Sequence, residues 1–375
     1  MNGIIVESCD LFSGLGLNAF AFRSFATPIL YCEKDPAVRT ILESVISRAI
    51  LPAASIVRDV RSKACIIPSR ARFVTASWPC QDTSVAGERK GIEGPSGGLL
   101  TRVLKLVSSA PNVDMVFFEN TPAAATNGSL AAIIDSLGHN FDCAWGRVCG
   151  RDVGRPQVRA RFFCVCVRRC DEARALLRRC AERSAATELM EPESEPAARM
   201  IIPKQTKSNA VRSTALGNAV IPAASKKAFE VLSGFLLATA SDSPHMTPVP
   251  AAAAIEHWGA WRAGQRFAVR VPSFPRASAQ LFFDPKFYSP PEGYVPRSVF
   301  KEGGLLISAV FREAWPTPRR SNIGASHFLT DRSLRDLGTA VRFERGTPID
   351  QRCGLVKAEW TEWLMGVPQG YSLAA

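Results

Sequence analysis

Asp10-Leu11-Phe12-Ser13-Gly14-Leu15-Gly16 (DLFSGLG) follows the apolar run Ile4-Ile5-Val6. Glycines at 14 and 16 let a strand turn sharply into a helix and bring its backbone close to a ligand, as happens at the carboxyl end of a first parallel strand. Outward from that turn, to about residue 170, short apolar runs alternate with helical periods. The runs are 29–32, 73–76, 113–118 and 161–167; residues 36–48, 97–108 and 126–137 carry apolar side chains at three- and four-residue steps. This alternation predicts an α/β fold: a doubly wound, mostly parallel sheet with helices on both faces.

Beyond it a helix is expected over 171–185, a flexible acidic connector over 188–199 (ELMEPESEPAAR), an apolar helix over 223–238 and a second linker over 241–254. From 255 to 355 the chain is rich in Arg, Trp, Tyr, Pro and Gly with only brief apolar runs, which reads as a smaller basic domain. The chain has 375 residues, 46% of them hydrophobic, and a net charge of +12 with a pI near 9.4. A polyanionic partner is physically favoured, and nucleic acid comes first. Eleven cysteines in unpaired spacing suit a reducing, intracellular compartment. No histidine stands near Cys164-Val165-Cys166, so no metal is expected. Neither a signal sequence nor a membrane span is expected, since no basic start precedes an apolar run and no apolar stretch reaches about 18 residues.

Four further stretches carry chemistry. Glu33 ends the second apolar run and Asp59 follows SIVR; there the two acids can accept hydrogen bonds from a ribose and an adenine, or simply begin helices. Ser77-Trp78-Pro79-Cys80 (SWPC) places one thiol behind a proline at a strand end, on a backbone stiff enough for a nucleophile. The glycine-rich 85–100 after it has the length of a lid over an active site. Phe117-Phe118-Glu119-Asn120-Thr121-Pro122 (FFENTP) puts a partly desolvated carboxyl group at a strand end, suited to donating a proton or to starting a helix. In GRPQVRARFF (154–163), Gln157, Arg159 and Arg161 alternate and should share one strand face.

Taken in order, DLFSGLG, Glu33, Asp59, PCQ (79–81), ENT (119–121) and QVRAR (157–161) resemble the blocks of the cytosine-C5 DNA methyltransferases. ALGNAV (215–220) is similar to that family's Gly-Asn-x-Val block, and EWTEWLMGVPQGYS (359–372) to the helix and Met-Gly-x-Pro turn that follow its recognition domain. The resemblance implies a Rossmann-like methyltransferase domain over 1–170, a returning segment at 204–238, a target-recognition domain at 255–355 and a bridging helix and turn at 356–375. It implies methyl transfer from S-adenosylmethionine to carbon 5 of cytosine in double-stranded DNA, as in restriction-modification systems, by a monomer. Cys80 would add to carbon 6 of a flipped base and Glu119 would protonate ring nitrogen 3. Arg159 and Arg161 would fix the base carbonyl and nearby acids, and Gln157 would shape that face. The cofactor would meet Phe12, Ser13, Gly14, Leu15, Gly16, Glu33, Asp59, Val60, Pro79, Leu99 and Asn218. The chain departs from the family at Leu17, where a third glycine is common, at Thr121, usually Val, and in placing ALGNAV before the recognition region. RNA methylation and a non-catalytic DNA-binding role are the alternatives.

Overall fold

The computed structural model of the chain describes residues 6–79, 95–155, 157, 159–189, 201–202, 206–238, 246–250, 258–269, 355–356 and 358–374. The opening strand β1 (Val6–Leu11) leads through the glycine loop into α1 (Leu17–Phe22), then β2 (Ala26–Cys32) and α2 (Pro36–Ser47). Asp35 caps α2 by accepting hydrogen bonds from the amides of Ala37 and Val38, and Pro36 stands where its missing N–H costs nothing. Next come β3 (Ser55–Val57), β4 (Phe73–Ala76), α3 (Pro95–Ser108), β5 (Met115–Asn120) and α4 (Ser129–Leu137). A hairpin of β6 (Phe141–Val148) and β7 (Arg161–Arg168) precedes α5 (Asp171–Ala185), β8 (Ile201–Ile202), α6 (Lys207–Asn218) and α7 (Pro222–Leu237). The described chain closes with β9 (Met246–Val249), β10 (Gly259–Arg262), β11 (Gln265–Val269), β12 (Leu355–Val356) and α8 (Ala358–Met365).

Among the described residues, ten strands form one sheet in the order β3-β2-β1-β4-β5-β7-β6-β10-β11-β9. From β3 to β5 the pairs are parallel; from β5 to β9 every pair is antiparallel. The expected mostly parallel sheet therefore holds for its first half only, because β7 returns from β6 as a hairpin and pairs antiparallel with β5, and β10, β11 and β9 extend the sheet from β6 in the same manner. Strand order reverses between β1 and β4, the place where open α/β sheets present a crevice at their carboxyl ends. Helices cover both faces: α1, α2, α5 and α7 bury one set of apolar residues and α3 and α4 the other. Phe22, Phe25, Phe73, Phe117 and Phe229 centre the first, with Phe22 edge-on to Phe117 at 4.8 Å.

The expected helices over 36–48, 97–108, 171–185 and 223–238 correspond to α2, α3, α5 and α7, while β9 lies inside the expected linker 241–254. Strands β10 and β11, from the first part of the basic region, continue the large sheet by pairing onto β6. Glycines make this junction close: a Cβ on Gly146 would lie 2.0 Å from the Trp258 ring, and one on Gly259 2.3 Å from Trp145. The connector from residue 190 to 200 and the basic region from 270 to 354 lie outside the described residues.

Candidate active site at the carboxyl ends of the strands

The glycine loop is stapled to β2. Ser13 N–H donates to the Cys32 carbonyl at 2.8 Å, Cys32 N–H to Ser13 Oγ at 3.0 Å, and the Ser13 hydroxyl to the Asp10 carbonyl at 2.6 Å. Phe12, Gly14 and Gly16 have positive φ values of 58, 54 and 74°. Only glycine adopts this without strain, so Phe12 is held there by its surroundings. Among the described residues, a Cβ on Gly14 would meet nothing within 4 Å, which leaves room beside this glycine; one on Gly16 would lie 2.4 Å from Leu51 Cδ1 in the core.

Glu33 reaches back to this loop. Its Oε2 accepts from Gly14 N–H and its Oε1 from Asp35 N–H, both at 2.8 Å. Asp59, beyond β3, accepts from Arg61 through the backbone N–H, Nε and Nη2, which hold its carboxyl group down at about 2. Val60 is buried, and its carbonyl accepts from Arg102 Nε on α3 at 3.1 Å; Leu99, on the same helix, is partly buried. Two carboxylates at adjacent strand ends, beside a backbone with room at Gly14, fit the hydroxyls of a ribose and the amino group of an adenine. Deeper, Asp10 is buried and accepts from Thr75 Oγ1. Its Oδ2 has no hydrogen-bond partner among the described residues.

Pro79 is the last described residue before Cys80, which lies outside the described residues together with the following 81–94. The approach to it is fixed from two sides. Asn120 Nδ2 donates to the Trp78 carbonyl at 3.0 Å, and Asn18 Nδ2 donates to Ser77 Oγ at 2.9 Å while its Oδ1 accepts from Ser225 on α7. Glu119, at the end of β5, is paired with Arg161 at the start of β7: Nε to Oε1 is 3.1 Å, and both side chains are largely buried. Gln157 and Arg159 turn elsewhere. Gln157 Nε2 donates to the Leu364 carbonyl on α8 at 2.7 Å, and Arg159 Nη2 donates to the carbonyls of Gly217 and Ala219, closing the end of α6 around exposed Asn218. Of the three alternating residues, Arg161 alone faces Glu119 in the structure.

Asn18, Asn120 and Arg102 support the site through partners distant in sequence, which no local pattern marks. Asn120 stood inside the quoted FFENTP, but its carbonyl partner is 42 residues away. Cys9 and Cys180 are pushed up to about 12 by burial, as suits packing thiols rather than nucleophiles. Among the described residues, no cluster of three or more His, Cys, Asp or Glu is placed to hold a metal ion, and no helix is long and apolar enough to cross a membrane.

Residues 6–230 match the family described as C-5 cytosine-specific DNA methylase. Over 97% of each chain, the sequence is 24% identical to the type II methyltransferase M.CviJI of Paramecium bursaria Chlorella virus IL3A. It is 29% identical to the type II methyltransferase M2.BsuMI of Bacillus subtilis (strain 168), over 41% of this chain and 40% of that one. It is 30% identical to the type II methyltransferase M.HhaI of Haemophilus parahaemolyticus, over 42% of this chain and 48% of that one.

Proposed function

The chain belongs to the C-5 cytosine-specific DNA methylases, and from that premise we propose that it methylates carbon 5 of cytosine in double-stranded DNA, using S-adenosylmethionine and Cys80 as covalent nucleophile. The carrying observation is the Glu119–Arg161 pair, buried beside the strand end that Asn120 ties to the segment entering Cys80. Burying two charges costs several kcal/mol before their attraction is counted, so a pair at this place is best explained by work on a substrate.

S-adenosylmethionine, when bound, supplies a methyl group on a sulfonium. On the protein side, Glu33 would accept from the ribose hydroxyls and Asp59, kept ionised by Arg61, would accept from the adenine amino group. Phe12 would cover the adenine, and Ser13, Gly14, Leu15, Gly16, Val60, Pro79, Leu99 and Asn218 would line the remainder. Carbon 5 of cytosine is a weak nucleophile. The Cys80 thiolate would form a bond to carbon 6 while a proton passes through Glu119 to ring nitrogen 3; the electron pair released onto carbon 5 would then form the new bond to the methyl group as the methyl–sulfur bond breaks, its electron pair staying on sulfur in S-adenosylhomocysteine. A base then removes the carbon-5 proton, the bond from carbon 6 to the Cys80 sulfur breaks, ring nitrogen 3 returns its proton to Glu119, and the thiolate is restored. Arg161 holds Glu119 and the base carbonyl. Arg159 and Gln157 act as positioning residues, fixing α6 beside Asn218 and α8 beside the turn that follows it.

The target atom is hidden in duplex DNA, so the base must leave the stack at a cost of a few kcal/mol. Residues 255–355 are proposed to supply the target recognition and much of the phosphate contact. The test is a duplex carrying 5-fluorocytosine, from which carbon 5 cannot release its fluorine as a proton. With S-adenosylmethionine the expected product is a denaturant-resistant protein–DNA adduct, absent with tRNA and absent in Cys80→Ser. An adduct that persists in Cys80→Ser would overturn the assignment of the nucleophile, and trapping on tRNA alone the assignment of the substrate.

A further inference from the structure

We infer that Tyr371, near the end of the chain, is a positioning residue for methyl-donor binding, acting through its hydrogen bond to the glycine loop; this rests on the cofactor reading above. Its Oη donates to the Leu15 carbonyl at 3.0 Å across 356 residues of sequence, and its ring stands edge-on to Phe20 of α1 at 5.5 Å and 82°. The side chain is fully buried, and burial pushes the phenol well above its ordinary range, so the hydroxyl stays a donor. A phenol in a core must have its O–H satisfied, and phenylalanine would fill the same ring space without that demand. The partner is the carbonyl that fixes the Leu15–Gly16 peptide plane, directly before a glycine with φ of 74°.

The tail carrying Tyr371 is itself held in place. Arg48, at the end of α2, donates to the carbonyls of Gly370 and Tyr371 at 2.9 and 2.7 Å. Glu362 of α8 accepts from the backbone N–H groups of Gly370 and Ser372 and from the Ser372 hydroxyl, and Arg212 of α6 pairs with the same carboxylate. Three helices thus fix the turn around Gly370–Ser372, from which the Tyr371 hydroxyl reaches the loop. Ser13 and Glu33 hold the loop from the β2 side, and Tyr371 holds it from the opposite end of the chain.

Tyr371→Phe keeps the ring and removes the hydrogen bond. One neutral hydrogen bond corresponds to about fivefold in an equilibrium constant. Isothermal titration with S-adenosylhomocysteine should show the dissociation constant rising by about that factor, with KM for S-adenosylmethionine rising in step, while kcat and the dissociation constant for DNA stay within twofold. Arg48→Met, which loosens the turn but not the hydroxyl, should move donor affinity in the same direction by less. A donor affinity unchanged in Tyr371→Phe, or donor and DNA affinity falling together, overturns the inference and leaves the cofactor reading standing. A wild-type protein that fails to bind S-adenosylhomocysteine overturns both.

Discussion

Burial pushes the Asp10 carboxyl up to about 7; Thr75 pulls it down by donating a hydrogen bond, and the charge of Glu33 adds to the rise. Unfolded, the group titrates near 3.8, so the folded chain keeps a proton that the unfolded chain has lost throughout pH 4–7. Stability associated with this group is therefore full below about pH 4 and is lost as pH rises through 7. A shift of about three units corresponds to on the order of 4 kcal/mol. Asp10→Asn carries no such titration. Its melting temperature should gain several degrees relative to wild type between pH 5 and pH 8, and parallel pH curves would argue against a buried, proton-holding Asp10. Nothing local marks this residue: Thr75 lies 65 positions away, and burial comes from strands on both sides. Glu33, Asp59 and Glu119 were legible as strand-end acids because apolar runs stop beside them. The division of Gln157, Arg159 and Arg161 among α8, α6 and Glu119 was not, since alternation gives a face only where a strand exists, and β7 begins at Arg161.

Among the elements, α6 and α8 are joined by a buried charge. Arg212 donates to Glu359 and Glu362 and to Ser372 Oγ, and Glu362 is fully buried. Arg212→Met should destabilise the protein by about 3 kcal/mol, because a carboxylate remains inside without its cation. Adding Glu362→Gln should recover part of that loss, a coupling that chemical denaturation of the two single variants and the double variant would measure. This contact brings ALGNAV and Met-Gly-x-Pro segments together although their order along the chain is the reverse of the family's usual one. Helices α2, α5 and α7 could be read within a residue or two because they carry their own signals: Asp35 with Pro36, Asp171 with Glu172, and Pro222. Strand β6 could not. Its Asp142 looks like a turn residue until Arg169, Arg174 and the Ala263 amide supply its partners, and its Gly146 interrupts a pattern that Trp258 completes from more than a hundred residues away. Helix α6 lacks a clear apolar stripe, and much of what it buries is polar, including Asn209 and Arg212.

At the scale of the whole molecule, the net charge of +12 leads to a prediction about DNA. Contacts to phosphates release counterions, so affinity for duplex DNA should fall by about a hundredfold or more between 50 and 200 mM salt, whereas donor affinity should change little. Fluorescence anisotropy across that range checks it; a flat response would mean that the basic residues serve solubility. One further property follows from the sheet itself. Among the described residues its outer strands, β3 and β9, have three and four residues, against six to eight in β1, β2, β5, β6 and β7, and β9 carries Pro248. The ladder therefore stops at short margins, one of them lacking an amide, which make poor templates for a strand from another molecule. Among the described residues the longer strands are paired on both sides, so the margins a second molecule would meet are those least able to extend the ladder.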